Sequence, residues 1–132
     1  MDTRAAAARW AQVWARGWRE HDPDAVASLY ADDAVFRSQP FRPPHEGSKG
    51  VRDYAVWAFS DEDAVECWFG EPIASHAQAA VEYWAVIESE GREETLAGIS
   101  VLRFGDDGLV TEQRDYWAMH EGRTPPPEGW GR

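Results

Sequence analysis

Two carboxylates in the second half of the sequence are spaced so that each could act as an acid or a base in an enclosed site. Asp115 lies between Gln113 and Trp117 in an alternating segment, and Glu82 stands two residues before Trp84 in another. Because successive side chains of a strand point to opposite faces of a sheet, each carboxylate shares a face with one of these aromatic residues. A carboxylate among apolar groups has a raised pKa, which suits proton transfer near neutral pH. We therefore predict Asp115 and Glu82 as candidate catalytic residues.

The alternative for Asp115 is a structural role. A buried carboxylate is also found paired with a guanidinium, and Arg37 and Arg103 are the candidates for such a pair.

Aromatic residues are abundant and favour a pocket around these carboxylates. The chain has eight Trp, four Tyr and five Phe among its 132 residues. Such side chains combine a large apolar surface with a polar atom in Trp and Tyr, so they suit a ligand cavity as well as a packed core. If the pocket interpretation holds, a small, largely apolar molecule is bound by Trp14, Trp18, Phe36, Ser38, Trp57, Phe69, Trp84, Ile99, Gln113 and Trp117.

Other residue types that carry chemistry form no recognisable site. Cys67 is the only cysteine, which excludes an intramolecular disulfide, and its apolar surroundings are typical of a buried residue. The four histidines are scattered, so we expect no metal site, although His45 is a candidate proton shuttle near the predicted mouth. No glycine-rich phosphate loop or nucleophile motif is present, and we expect no cofactor.

The charge balance excludes two classes of partner. With 13 basic and 24 acidic residues, the net charge is −11, and such a surface repels nucleic acid. Lys49 is the single lysine, so no polybasic membrane patch can form. No segment approaches the roughly 20 apolar residues of a membrane span, and no secretory signal is visible. We expect a cytoplasmic protein without membrane contacts.

Three helices and a group of strands are predicted to position the site. Trp10, Trp14 and Trp18 recur every four residues in a helix over 3–19. Asp22 and Pro23 are typical of the start of a second helix, over 23–30. Ser48 is predicted to cap a third helix over 48–59. Strands are predicted at 34–38, 64–75, 78–88, 95–104 and 109–119, with a hairpin turn at 105–108.

This order describes one domain over 1–120, followed by a proline-rich tail over 121–132. Helices that pack on one side of a mostly antiparallel sheet make the fold class α+β.

The passages 21–26, 29–36 and 108–117 resemble the SnoaL-like branch of the nuclear transport factor 2-like superfamily. Ketosteroid isomerases, polyketide cyclases and limonene-epoxide hydrolases share its cone, in which three N-terminal helices pack on a curved, mostly antiparallel sheet. The resemblance places the water-activating base of the hydrolases at Asp115. At Phe36 and Ser38 the chain departs from them, because they carry there a Tyr and an Asn that help to hold the water. The chain departs from the hydrolases at Glu82, Trp84 and Gln113, where they carry Arg, Asp and Trp, so their machinery is not reproduced.

Two functions follow from the residues and the resemblance together. The first is cofactor-independent acid/base catalysis of the isomerase, cyclase or hydrolase type, with Asp115 as base. The second is a non-catalytic ligand-binding or protein-interaction domain of the same fold. The resemblance also implies a homodimer formed through the face of the sheet, where the predicted outward stripe is Tyr83, Ala85, Ile87, Leu102 and Tyr116.

Overall fold

The helices and strands were located in a computed structural model that describes all residues, 1–132. The helices are α1 (Thr3–Glu20), α2 (Pro23–Ala27) and α3 (Gly47–Phe59). The strands are β1 (Tyr30–Arg37), β2 (His45–Glu46), β3 (Ala64–Phe69), β4 (Ile73–Ser75), β5 (Gln78–Ser89), β6 (Arg92–Phe104) and β7 (Val110–Glu121). None of the helices is long and apolar enough to cross a membrane.

Local capping explains where the first two helices begin. The Asp2 side chain accepts a hydrogen bond from the backbone N–H of Ala5 at 3.0 Å, and Asp22 does the same for Ala25 at 3.0 Å. Between the helices His21 adopts the left-handed conformation, with φ of 52°, and ends α1. Helix α2 is shorter than expected and ends at Ala27, because Tyr30 already belongs to β1.

The third helix does not use the predicted cap. It begins at Gly47, and its Ser48 hydroxyl instead donates to the backbone oxygen of Ala27 at 2.8 Å. Gly47 has a φ of +72°, and a Cβ there would lie 2.6 Å from the backbone oxygen of Asp32. A glycine is required at this position because other residues would be strained and would overlap β1.

All strands join one sheet, in the order β2-β1-β7-β6-β5-β3, with β4 paired to β5. Strands β1 and β7 run parallel, whereas the other pairs are antiparallel. The α+β class with three helices on a large curved sheet is therefore confirmed. The parallel pair places Phe36 of β1 beside Gln113 of β7, which joins the first and last strands of the chain.

The face that points toward the helices is set by the register of β5, β6 and β7. Ser100 is opposite Asp115, and Gly98 lies between Tyr83 and Trp117. Directly opposite residues of an antiparallel pair point to the same face, so all of these side chains face inward. The predicted outward stripe is therefore wrong for Tyr83, Ala85, Ile87 and Leu102, which are all buried.

The other face of the sheet is partly covered by the C-terminal tail. The indole N–H of Trp84 donates to the backbone oxygen of Thr124 at 2.8 Å, and its ring meets Trp130 edge-on at 5.9 Å. The N–H of Glu71 donates to the backbone oxygen of Gly131 at 2.7 Å. The tail thus gives an apolar residue such as Trp84 a packing partner outside the helical layer.

Candidate functional site

A cavity of about 230 Å³ lies between the helices and the inner face of the sheet. Nineteen residues line it, thirteen of them hydrophobic. Its walls include seven of the side chains predicted for the site: Asp115, Trp14, Trp18, Trp57, Phe69, Gln113 and Trp117. Helices α1 and α3 supply three of the tryptophans, and strand β7 supplies Gln113, Asp115 and Trp117.

Asp115 is held by one carboxylate oxygen. Its Oδ1 accepts hydrogen bonds from the Ser100 hydroxyl at 2.6 Å and from the Gln113 amide at 2.9 Å. The other oxygen, Oδ2, has no protein partner and opens onto the cavity. No ion pair forms with Arg37 or Arg103, which lie on the outer face beside Arg114 and Glu112.

Burial away from water raises the pKa of Asp115 from an ordinary 3.8 to about 7, although the hydrogen bonds from Ser100 and Gln113 oppose this shift. The carboxyl group is therefore divided between its acid and base forms near neutral pH. Such a group can both remove and return a proton at physiological pH.

A buried tyrosine sets the orientation of Gln113. The hydroxyl of Tyr30 accepts hydrogen bonds from the indole N–H groups of Trp10 at 3.2 Å and Trp14 at 2.8 Å. With both of those donors in place, the Tyr30 hydroxyl donates its own proton to Oε1 of Gln113. The amide nitrogen of Gln113 is thereby turned toward Asp115.

Two further tyrosines present hydroxyl groups to the cavity. Tyr54 and Tyr83 line it, and neither hydroxyl is hydrogen-bonded within the protein. Burial raises the pKa of both phenols, and the proximity of Asp115 raises it further, so both remain protonated donors. Gly98 makes room for Tyr83, because a Cβ there would lie 2.9 Å from the Tyr83 hydroxyl and 2.6 Å from Cβ of Trp117.

The mouth of the cavity is marked by an arginine between two indoles. The guanidinium carbon of Arg42 lies 5.7 Å from the ring centroid of Trp57 and 5.4 Å from that of Trp117. Trp57 is 61% exposed and Phe41, on the same loop as Arg42, is 96% exposed. This rim is therefore apolar and accessible, with one positive charge.

A second carboxyl group lines the cavity next to α3. Oε1 of Glu62 accepts a hydrogen bond from the indole N–H of Trp18 at 2.9 Å. Burial raises the pKa of Glu62 from 4.5 to about 7, against the effect of that hydrogen bond. Glu62 lies in the link between α3 and β3, where no periodicity of the sequence indicates a site.

Three predicted site residues lie on the wrong face of the sheet. Glu82 is opposite Ile99, and Trp84 is opposite Ala97, so all of them point away from the cavity. The prediction that Glu82, Trp84 and Ile99 line the cavity is wrong because alternation reveals two faces but not which one the helices cover. On the outer face Trp84 contacts the tail, through Thr124 and Trp130.

Phe36 and Ser38 are buried behind the cavity wall. Phe36 packs edge-on against Tyr54 at 5.0 Å. The backbone oxygen of Ser38 accepts a hydrogen bond from the indole N–H of Trp117 at 2.6 Å. Both residues support the wall of the cavity, and neither belongs to its lining.

His45 and Cys67 also lie outside the lining. The His45 ring is 4.8 Å from that of Tyr54, and its Nε2 is buried without a partner. Burial, and then the charge of Arg42, lowers the pKa of His45. Cys67 is buried, and burial raises the pKa of its thiol. No three His, Cys, Asp or Glu side chains come together in a geometry that could hold a metal ion.

The sequence is similar to a known domain family and to a characterised enzyme. The model of the SnoaL-like domain family matches residues 8–113. The Steroid Delta-isomerase of Nocardioides simplex is 25% identical over 117 residues, which span 89% of this chain and 90% of that protein.

Solved structures share the fold. Rv0760c of Mycobacterium tuberculosis has a TM-score of 0.78 at 21% identity, covering 92% of this chain and 100% of that one. A protein with a ketosteroid isomerase-like fold from Catenulispora acidiphila, solved in complex with trimethylamine, has a TM-score of 0.71 at 15% identity, covering 81% of this chain and 83% of that one. An LEH-like epoxide hydrolase of M. tuberculosis has a TM-score of 0.71 at 18% identity, covering 89% and 86%.

Proposed function

Because the chain belongs to the SnoaL-like domain family, we propose that its cavity binds a small, largely apolar carbonyl compound and that Asp115 transfers a proton beside that carbonyl. The observation that carries the proposal is the hydrogen bonding of the Asp115 carboxyl group. One of its oxygens is tied to Ser100 and Gln113, and the other is free in an aromatic cavity. A base in this position needs a pKa close to the working pH, and the pKa of Asp115 is about 7.

The reaction step balances without a cofactor. The Asp115 carboxylate removes a proton from the carbon next to the carbonyl, and the C–H electrons move into the carbonyl to form an enolate. Asp115, now protonated, returns the proton to the same or to a conjugated carbon. A double bond is shifted when the second position is used.

The negative oxygen of such an enolate needs hydrogen-bond donors. Tyr54 and Tyr83 line the same cavity, and their hydroxyls have no protein acceptor. Donors that are already oriented in an apolar site stabilise a developing oxyanion without the reorganisation that water requires. We assign this role to the two phenols.

The size and lining of the cavity favour a small substrate. Its volume of about 230 Å³ is below the roughly 300–1,000 Å³ of pockets for drug-sized ligands. The Trp57 rim is open, so a larger ring system would extend outward past Arg42.

The relationship to a Steroid Delta-isomerase supports proton transfer as the reaction class.

A β,γ-unsaturated ketone tests the proposal directly, because its conjugated product absorbs in the ultraviolet. Cyclohex-3-enone and a 3-oxo-Δ5-steroid provide a small and a large probe. We expect the protein to accelerate conjugation of at least one of them, and Asp115→Asn to reduce the rate by about 100-fold or more. Exchange of deuterium from the solvent into cyclohexanone provides a second readout of proton removal.

Binding is measured separately, through quenching of tryptophan fluorescence by 2-naphthol, a planar mimic of an enolate. Naphthol binding without isomerisation or deuterium exchange between pH 6 and 9 would identify a non-catalytic ligand-binding domain. Absence of naphthol binding would contradict the proposed site itself.

A further inference from the structure

One corner of the cavity combines three aromatic rings with a carboxyl group. The rings of Trp14 and Trp18 are perpendicular, with centroids 6.3 Å apart, and Phe59 meets Trp14 edge-on at 6.4 Å. Glu62 completes the corner through its hydrogen bond from the indole N–H of Trp18. All four side chains line the cavity.

The Glu62 carboxyl has no positive partner in the protein. It forms no salt bridge, and its second oxygen makes no hydrogen bond. Arg19 lies nearby but donates to the Cys67 sulfur at 3.8 Å. The arginine of the cavity wall, Arg42, is stacked at the rim on Trp57 and Trp117.

The remaining titratable neighbours do not supply a cation to the carboxyl either. Asp61 carries the same sign as Glu62 and raises its pKa. His21 stacks on Phe59, with ring centroids 5.4 Å apart. Asp115 is hydrogen-bonded to Ser100 and Gln113 and makes no hydrogen bond with Glu62.

Removal of a carboxylate from water is unfavourable unless an opposite charge compensates it. Aromatic faces attract cations as well, through the negative electrostatic potential above the ring. A neutral hydroxyl would satisfy the free oxygen but would gain nothing from the rings. The overall charge of −11 also attracts cations to the protein.

We propose that this corner is a subsite for a substituted ammonium group of the ligand, with Trp14, Trp18 and Phe59 as walls and Glu62 as counter-ion. The inference rests on the proposed function, since it assumes that the cavity takes a ligand. It narrows the substrate class to small carbonyl compounds that also carry an amine.

Choline and 3,3-dimethylbutan-1-ol test the proposal, because they have the same shape and differ in a quaternary nitrogen against a carbon. Binding to the full-length protein is followed at pH 8 by tryptophan fluorescence and by NMR. We expect choline to bind at least about 10-fold more tightly than the alcohol. At pH 6.5 choline binding should also release protons, because a nearby cation favours ionised Glu62.

Glu62→Gln is the informative variant, since the amide oxygen can still accept the bond from Trp18. It should lower choline affinity about 10-fold and leave the affinity for the alcohol unchanged. The matched control, Asp53→Asn, removes an exposed carboxylate of α3 that does not line the cavity, and it should change choline affinity less than threefold.

Equal affinities for the two compounds, no binding of choline, or an unchanged choline affinity in Glu62→Gln would each overturn the subsite. Binding of 2-naphthol separates this failure from failure of the proposed function. If naphthol binds and the protein binds choline no more tightly than the alcohol, only the ammonium subsite is wrong. If neither binds, the cavity is not a ligand site.

Discussion

The amide nitrogen of Gln113 donates to Oδ1 of Asp115 at 2.9 Å, from two residues away on the same strand. Gln113 is almost completely buried and is oriented by Tyr30 on the parallel neighbour β1. The hydrogen bonding of Asp115 on β7 therefore depends on Tyr30, which lies 85 positions earlier in the chain. It depends also on Trp10 and Trp14 of α1, whose indole N–H groups donate to the Tyr30 hydroxyl.

Asp115→Asn should abolish proton transfer while preserving the fold. The amide keeps the shape and the acceptor oxygen but cannot remove a proton. In the unmodified protein kcat/KM should rise as the pH increases through about 7, where Asp115 becomes ionised. Ultraviolet assay of enone formation across pH 5–9 measures this profile. Glu82→Gln on the outer face is the matched control and should stay within about twofold of the original rate.

The same substitution should stabilise the protein at alkaline pH. The folded-state pKa of Asp115 is raised to about 7 from 3.8, so the folded state binds its proton more tightly than the unfolded state. Stability from this group is complete below pH 3.8 and is lost as the pH rises toward 7. Asp115→Asn should therefore raise the free energy of unfolding by on the order of 2 kcal/mol at pH 8, and by less at pH 5. Urea unfolding at both pH values measures the sign of this change. If Asp115 belonged to a structural ion pair, the substitution would instead lower the free energy of unfolding.

Tyr30→Phe should reduce stability and alter the acid–base behaviour of Asp115. The substitution leaves the indole N–H groups of Trp10 and Trp14 without their acceptor, at a cost of about 1–3 kcal/mol per buried group. The Gln113 amide is then free to turn its oxygen toward Asp115, which would raise the pKa of the carboxyl further. A shift of the pH–rate profile to higher pH measures that effect.

The exposed Tyr116 provides the control for this substitution. Tyr116→Phe should change neither unfolding nor the pH profile. A purely structural role for Tyr30 would lower stability and leave the pH profile in place.

Gly98→Ala should narrow the cavity from the sheet side. A Cβ at this position would lie 2.6 Å from Cβ of Trp117 and 2.6 Å from the backbone oxygen of Tyr116. Overpacking of this kind costs about 1–3 kcal/mol, and Trp117 must move to relieve it. We expect a lower melting temperature together with weaker 2-naphthol binding. Ala97→Ser, on the outer face next to it, should alter neither measurement.

We propose that two copies of the chain associate through the part of the outer sheet face that the tail leaves open. Tyr116 is 46% exposed there and lies opposite the half-buried Ile99. Exposed apolar side chains grouped on a sheet face are typical of an interface. Light scattering at micromolar concentration should give a dimer, and Ile99→Glu a monomer. Val56→Glu, on the exposed side of α3, should remain dimeric; a monomeric unmodified protein would contradict the proposal.

Features that depend on neighbours in sequence could be predicted well. The tryptophan spacing of α1, the Asp22-Pro23 start of α2 and the 105–108 turn reflect local preferences, and each is present in the structure. The position of Asp115 among apolar residues of an alternating strand is also local information. The family resemblance added the cone into which these elements pack.

The face of β5 and β6 that lines the cavity was decided only by tertiary structure. Alternation separates Glu82 and Trp84 from Tyr83, but it does not indicate which set the helices cover, because the tail gives the outer face its own apolar contacts. The hydrogen bonds that join Tyr30, Gln113 and Asp115 likewise need the parallel pairing of β1 with β7. Contacts between residues so distant in the chain leave no periodic signal in the sequence, since they depend on register and packing rather than on local propensity.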